Sequence, residues 1–109
     1  MNITVRNEEK AMVVTVVGRL DSTTSCELEE WADANLAPSK SDLVMDFAQL
    51  DYISSAGLRA MLKISKIVTT TSHVFSLCNI PDHIREIFEI SGFDTFIPIY
   101  KSMADALAE

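Results

Sequence analysis

The sequence predicts an α/β fold, in which a mixed, mostly parallel sheet of about four or five strands begins with a β-hairpin and carries about four helices. Short segments rich in β-branched residues alternate with segments of helical period, as expected for strands joined by right-handed helical crossovers. The length of 109 residues suits one compact domain, and 48% hydrophobic residues suffice for a real core. We therefore expect a single domain spanning residues 1–109.

The first third of the chain predicts a hairpin followed by a helix. Residues 3–7 and 11–18 are rich in β-branched residues and flank the polar turn "EEK". The segment "DSTT" supplies capping side chains, and Thr24 with Glu27 has the spacing of a capping box. Pro38 ends the helix. Its apolar positions have helical spacing, with acidic residues predicted to face outward: Leu28, Trp31, Ala32 and Leu36 against Glu29, Glu30 and Asp33.

The middle of the chain predicts a buried strand and a second helix. Residues 42–47 are mostly apolar, which is typical of a short strand covered on both faces. A helix is predicted from Gly57 to about Thr70. Its predicted inner face consists of Leu58, Met61, Leu62, Ser65 and Val68. A basic stripe is predicted on the same helix at i, i+4 and i+7: Arg59, Lys63 and Lys66.

The last third predicts a strand, a helix, an edge strand and a final helix. Residues 73–78 form the strand, Pro81 occupies the first position of the next helix, and Gly92 caps its end. Residues 96–100 are predicted as a short edge strand, because the proline within them cannot donate to a central ladder. Ser102 caps the final helix.

Composition excludes several classes of function. A net charge of −7 argues against nucleic-acid binding, which needs a basic patch to displace counterions from phosphates. The N-terminus lacks the apolar run of a signal peptide, and the longest apolar stretch, residues 11–18, is too short to cross a bilayer. Two cysteines without a CxxC motif favour a reducing compartment. We expect a cytoplasmic protein that binds neither nucleic acid nor membrane.

The parts of a catalytic site are missing from the sequence. Three glycines are too few for a glycine-rich phosphate loop, and neither GxSxG nor SxxK occurs at the adjacent serines Ser54 and Ser55. The two histidines, His73 and His83, do not have the spacing of metal ligands. We expect no enzymatic activity, no metal and no cofactor.

Ser54 and Ser55 follow a predicted strand and begin a predicted helix. In open α/β sheets this edge is where ligands and partners bind, and a helix N-terminus favours an anion. A serine here is a poor nucleophile but a well-placed acceptor of a phosphate. Helix capping is the commoner role of serine at this position. The apolar neighbours Ile53 and Ala56, however, suit a contact surface better than a solvated turn.

The segment "YISSAGLRAML", preceded by "LVMDFAQLD", resembles the signature of the anti-sigma factor antagonists, which are stand-alone STAS-domain proteins. The segments "GRLDSTT" and "IREIFEISGFDTFIPIY" resemble the corresponding parts of that family, so the resemblance extends along nearly the whole chain. In the family the phosphoacceptor is the serine two residues before the Gly-Leu pair, which is Ser55 here, with Ser54 as the second choice. Asp21 matches an acidic position near the acceptor, although helix capping explains it equally well.

The resemblance implies a partner switch. The unphosphorylated protein binds an anti-sigma factor that is also a serine kinase, and this binding releases the sigma factor. Phosphorylation of Ser55 ends the binding, and a serine phosphatase restores it. The implied partner-binding residues are Asp21, Thr23, Ile53, Ser54, Ala56, Gly57, Leu58, Arg59 and Lys63.

Three alternatives remain open at the level of sequence. The same switch controls a non-sigma output in some stand-alone STAS proteins, such as biofilm formation, secretion or an enzyme. A STAS subunit of a lipid-transport ATPase complex needs no phosphoacceptor, so the serine pair argues against it. A nucleotide-binding role lacks a phosphate loop.

Overall fold

A computed structural model describes residues 1–108. The elements are β1 (Asn2–Asn7), β2 (Ala11–Leu20), α1 (Ser22–Asn35), β3 (Asp42–Asp46), β4 (Leu50–Ile53), α2 (Ser55–Thr70), β5 (Phe75–Cys78), α3 (Asp82–Ile90), a 3₁₀ turn (Phe93–Thr95), β6 (Ile99–Tyr100) and α4 (Met103–Ala108). Six strands form the described sheet in the order β1-β2-β3-β5-β6, and β4 pairs with β2 beside that path. The predicted α/β class, with its initial antiparallel hairpin and mostly parallel sheet, is confirmed.

Strand β4 is an element that the sequence pattern did not predict. Strand β2 is long enough to pair in parallel with β3 through Ala11–Thr15 and then with β4 through Gly18–Leu20. A register shift between Gly18 and Arg19 separates the two pairings, and Gly18 has a φ of 109°, which favours glycine. The second pairing places the end of β4 beside the end of β2.

Several predicted boundaries are corrected. Helix α2 begins at Ser55, two residues before the predicted start, because the chain is already helical after Ser54. Pro81 is the N-cap of α3 and not its first helical residue. The predicted strand 96–100 is shortened to β6, although its edge position is confirmed. Gly92 follows the C-cap of α3 with a φ of 77°, and Ser102 caps α4 as predicted.

The two faces of the sheet carry cores of unequal size. Helices α1, α2 and α3 pack on one face and contribute Leu28, Met61 and Phe88 to the large cluster. The short helix α4 packs on the other face through Ala106 against Val44. On α2, the predicted inner positions Leu58 and Leu62 are half-buried, whereas Met61, Ser65 and Val68 are buried as predicted together with Gly57, Ala60 and Ile64.

Candidate functional site

The N-termini of two helices, α1 and α2, lie side by side at one edge of the sheet. Strands β2 and β4 end in register, with Leu20 opposite Ile53. The backbone N–H of Ser54 donates a hydrogen bond of 2.9 Å to the carbonyl oxygen of Leu20. Asp21 and Ser54 are the residues that follow, and each is the N-cap of its helix. They lie 33 residues apart in the sequence, and parallel pairing brings them together.

Asp21 closes a reciprocal capping box at the start of α1. Its Oδ1 accepts hydrogen bonds of 3.0 Å from the backbone N–H groups of Thr23 and Thr24, and its own N–H donates to Thr24 Oγ1 at 2.9 Å. The predicted box of Thr24 with Glu27 is therefore wrong, because α1 begins at Ser22. Hydrogen bonds from the backbone and hydroxyl of Thr24 lower the pKa of Asp21 most, so this carboxylate stays charged at neutral pH.

Ser54 and Ser55 are adjacent but have different environments. Ser54 is half-buried, and its Oγ accepts a hydrogen bond of 3.3 Å from the N–H of Gly57, as a helix cap does. Ser55 is the first residue of α2 and is exposed. Within residues 1–108 its hydroxyl makes no hydrogen bond to another group of the protein. Of the two serines, Ser55 is the more exposed.

Gly57 fits the start of α2 against the strands below it. A Cβ at this position would lie 2.5 Å from Cγ1 of Ile53, which is too close for a real contact, and 3.1 Å from Cβ of Leu20, which is tighter than most real contacts. Gly57 and Ile53 are buried, although they were predicted to contact a partner. In this conformation they support Ser55 from beneath the surface.

The remaining predicted contact residues lie nearer the surface. Thr23 and Arg59 are exposed, and Ala56 and Leu58 are half-buried. Thr23 lies in the first turn of α1, and the other three lie in the first turns of α2. These residues of both helices form the surface around the two N-termini, which we call the rim.

The predicted basic stripe of α2 is engaged by acidic residues of α1. Lys63 Nζ donates a hydrogen bond of 2.8 Å to Asp33 Oδ2 and lies 3.8 Å from Glu29 Oε1. Arg59 Nε lies 3.9 Å from Glu29 Oε2. The hydrogen bond to Asp33 is the main cause that raises the pKa of Lys63. Glu29 was predicted to face outward, but its side chain is only 20% exposed because it packs toward α2. Lys66 is exposed, as expected of a solvated face.

Sequence reasoning missed three neighbours of the serine pair. The guanidinium of Arg19 lies 4.3 Å from the centre of the Tyr52 ring, a cation–π contact between β2 and β4. His83 Nε2, on α3, donates a hydrogen bond of 3.0 Å to the backbone carbonyl of Asp51. No local sequence pattern predicts these contacts, because each contact joins two elements that are separate in the chain.

Other kinds of site find little support in the described residues. Residues 1–108 contain no group of three or more His, Cys, Asp or Glu side chains placed to hold a metal ion. The same residues contain no helix that is both long and apolar enough to span a membrane. Both cysteines are free, with Cys26 exposed on α1 and Cys78 buried on β5. Burial raises the pKa of Cys78 to about 12, so its thiol stays protonated.

Comparison with known proteins identifies the family. Residues 2–106 match the family described as the STAS domain, so the chain belongs to the STAS domain family. It is 33% identical over 108 residues to BtrV of Bordetella bronchiseptica, a protein named provisionally as an anti-sigma factor antagonist. That match covers 99% of this chain and 93% of BtrV. The predicted resemblance to the anti-sigma factor antagonists is confirmed.

Two solved structures show how closely the fold is shared. An anti-sigma factor antagonist from Mycobacterium paratuberculosis superimposes with a TM-score of 0.86 at 23% identity, covering 98% of this chain and 91% of that one. The Bacillus cell fate determinant SpoIIAA in its phosphorylated form superimposes with a TM-score of 0.75 at 15% identity. The second match covers 98% of this chain and 97% of SpoIIAA.

Proposed function

We propose that this chain is an anti-sigma factor antagonist that acts as a phosphorylation-controlled partner switch. In its unphosphorylated form it binds an anti-sigma factor that is also a serine kinase, and the sigma factor is released. The observation that carries the proposal is the exposed hydroxyl of Ser55 in the first turn of α2, which makes no hydrogen bond within residues 1–108. The names of the relatives support the same class of partner.

Ser55 is the proposed phosphoacceptor, and Ser54 keeps the helix cap. Ser54 is the less exposed of the two, and its Oγ already accepts the N–H of Gly57 as a helix cap does. Within residues 1–108 the Ser55 hydroxyl makes no such bond. Because Ser55 lies at the surface, a kinase can reach it without unfolding the helix.

The added charge explains how phosphorylation would end binding. A phosphate brings about −1.5 to −2 charges to a chain of net charge −7, close in sequence to the exposed Asp51. In a packed interface the phosphate must find a cation or lose its hydration without compensation. One unit-charge repulsion at ~4 Å is worth about 4 kcal/mol at an effective dielectric of 20, which corresponds to roughly a thousandfold in affinity.

The proposed switch also requires a second enzyme and a suitable compartment. A separate serine phosphatase acts on the phosphorylated form and restores binding. The chain serves as substrate and ligand and is not itself the catalyst. It works in the cytoplasm, where the kinase has ATP and where two free cysteines stay reduced.

The decisive experiment measures binding to the purified cognate kinase by calorimetry in the presence of ADP. Unmodified protein and Ser55→Ala should bind equally, because alanine adds no charge, whereas protein phosphorylated on Ser55 should bind about a thousandfold more weakly. Ser54→Ala is the matched control, since it should still accept one phosphate on Ser55. Phosphoprotein that binds as tightly as unmodified protein would contradict the switch. If binding of this chain to the kinase does not release a sigma factor from that kinase, the proposed output is contradicted.

A further inference from the structure

Arg59 lies one helical turn after Ser55 on α2. Helix residues four apart are neighbours, with about 5–6 Å between their Cβ atoms. The Arg59 side chain is 65% exposed, and its Nε lies 3.9 Å from Glu29 Oε2. That separation is longer than a hydrogen bond, so the guanidinium is held loosely by charge attraction.

Glu29 does not depend on Arg59 for a cationic partner. Its Oε1 lies 3.8 Å from Nζ of Lys63, and Lys63 is fixed in turn by its hydrogen bond of 2.8 Å to Asp33. If Arg59 turned away, the partly buried carboxylate of Glu29 would keep the charge of Lys63 beside it. The displacement of Arg59 therefore leaves no isolated charge behind.

We propose that a phosphate on Ser55 binds the guanidinium of Arg59, which leaves Glu29, and that the two form a phosphoserine–arginine pair along α2. This inference rests on the proposed function for the assignment of Ser55 as phosphoacceptor. The planar guanidinium donates two parallel hydrogen bonds to a phosphate, and an anion four residues before a cation is the favoured order on a helix. Phosphorylation then changes the rim at two positions, because a phosphate is added and the charge of Arg59 is no longer available to a partner.

A thermal double-mutant cycle tests the pair. Phosphoserine is installed at position 55 by genetic encoding, so that no kinase is needed, and each form is made with Arg59 and with Arg59→Gln. The change in melting temperature that the phosphate causes should differ by about 2–5 °C between the forms with Arg59 and with Arg59→Gln. This difference should shrink in 1 M NaCl. The Nε–Hε resonance of Arg59 should also move when the phosphate is present.

Lys66→Gln provides the matched control for this cycle. Lys66 is exposed and lies on the same side of α2 as Ser55 but three turns further along, roughly 16 Å away. The substitution removes the same charge from the same helix, so it should show no coupling to the phosphate. Coupling at Arg59 that is no larger than at Lys66, or an Arg59 resonance that does not move, would overturn the proposal.

The outcome of this cycle is independent of the partner switch. If the phosphate couples to Arg59 while phosphoprotein still binds the kinase tightly, the pair is supported and the switch is contradicted. If binding is lost but no coupling is found, the switch is supported and the pair is wrong.

Discussion

The two helix N-termini at the candidate site are capped in different ways. At the start of α1, the Asp21 carboxylate accepts two backbone hydrogen bonds of 3.0 Å, and the backbone N–H of Asp21 donates a third bond to Thr24 Oγ1. At the start of α2, the Ser54 hydroxyl accepts one bond of 3.3 Å, and the next hydroxyl, of Ser55, is left exposed. The N-terminus of α1 is therefore capped by a charged carboxylate, and the N-terminus of α2 is capped by a neutral hydroxyl.

This difference gives the two helix N-termini different charges. An ionised carboxylate offsets the positive end of α1, whereas α2 begins without an acidic residue in its first turn. A phosphate on Ser55 would therefore meet a helix end whose dipole is not yet offset by an acid of its own.

Gly57→Ala should cost more than the substitution of either helix cap, because it fills the tight contact below the second terminus. The new Cβ would meet Cγ1 of Ile53 at 2.5 Å, and overpacking of this kind costs about 1–3 kcal/mol. Urea denaturation measures the free energy of unfolding. If the start of α2 also shifts, phosphorylation of Ser55 should slow.

A double-mutant cycle with Ile53→Ala identifies the cause of that loss. Ile53→Ala alone should cost about 2–5 kcal/mol, since the side chain is buried. Because it removes Cγ1, adding Gly57→Ala to it should cost less than Gly57→Ala does in the parent protein. Strictly additive losses would show that the contact between these two residues is not the reason for the glycine.

Asp21→Ala should lower stability more than Ser54→Ala, which we expect to cost about 0.5–1 kcal/mol. The contribution of Asp21 should depend on pH, because its hydrogen bonds lower its pKa in the folded state. The stabilisation is complete above the unfolded pKa of roughly 3.9 and is lost as the pH falls through the lower folded pKa. Urea midpoints measured from pH 7 to pH 2 should converge for the parent and Asp21→Ala, while Ser54→Ala keeps a constant difference from the parent.

Ser55→Ala should leave the free energy of unfolding within about 0.5 kcal/mol of the parent, because its hydroxyl bonds to no group in the described residues. The same variant should lose phosphorylation completely. Mass spectrometry after incubation with the cognate kinase and ATP measures the second effect. A phosphate retained in full by Ser55→Ala, or located on Ser54 in the parent, would reverse the roles of the two serines.

Ser25→Ala should have a small effect of the opposite sign. Ser25 is fully buried on α1, and its Oγ has no hydrogen-bond partner in the described structure. Alanine removes an unsatisfied polar group and is a better helix former, so stability should rise by about 0–1 kcal/mol. A loss above about 1 kcal/mol in urea denaturation would mean that the hydroxyl has a partner in solution.

Local patterns predicted most of the fold. Hydrophobic period located α1 and α2, and β-branched runs located β1 and β2, because these signals depend on neighbours in the chain. Strand β4 escaped prediction because it has four residues, of which the middle two are exposed. It is a strand through its pairing with the end of β2, and that pairing is long-range.

The sequence by itself determined the family, the alternation of strands and helices, and the serine pair at the start of a helix. Tertiary structure decided how the members of the site differ. It placed Asp21 beside Ser54, buried Gly57 and Ile53, and turned Glu29 toward α2. These facts depend on the parallel pairing of β2 with β4 and on the packing of α1 against α2. Neither the strand pairing nor the helix packing follows from the spacing of residues along the chain, so no local sequence pattern predicts these placements.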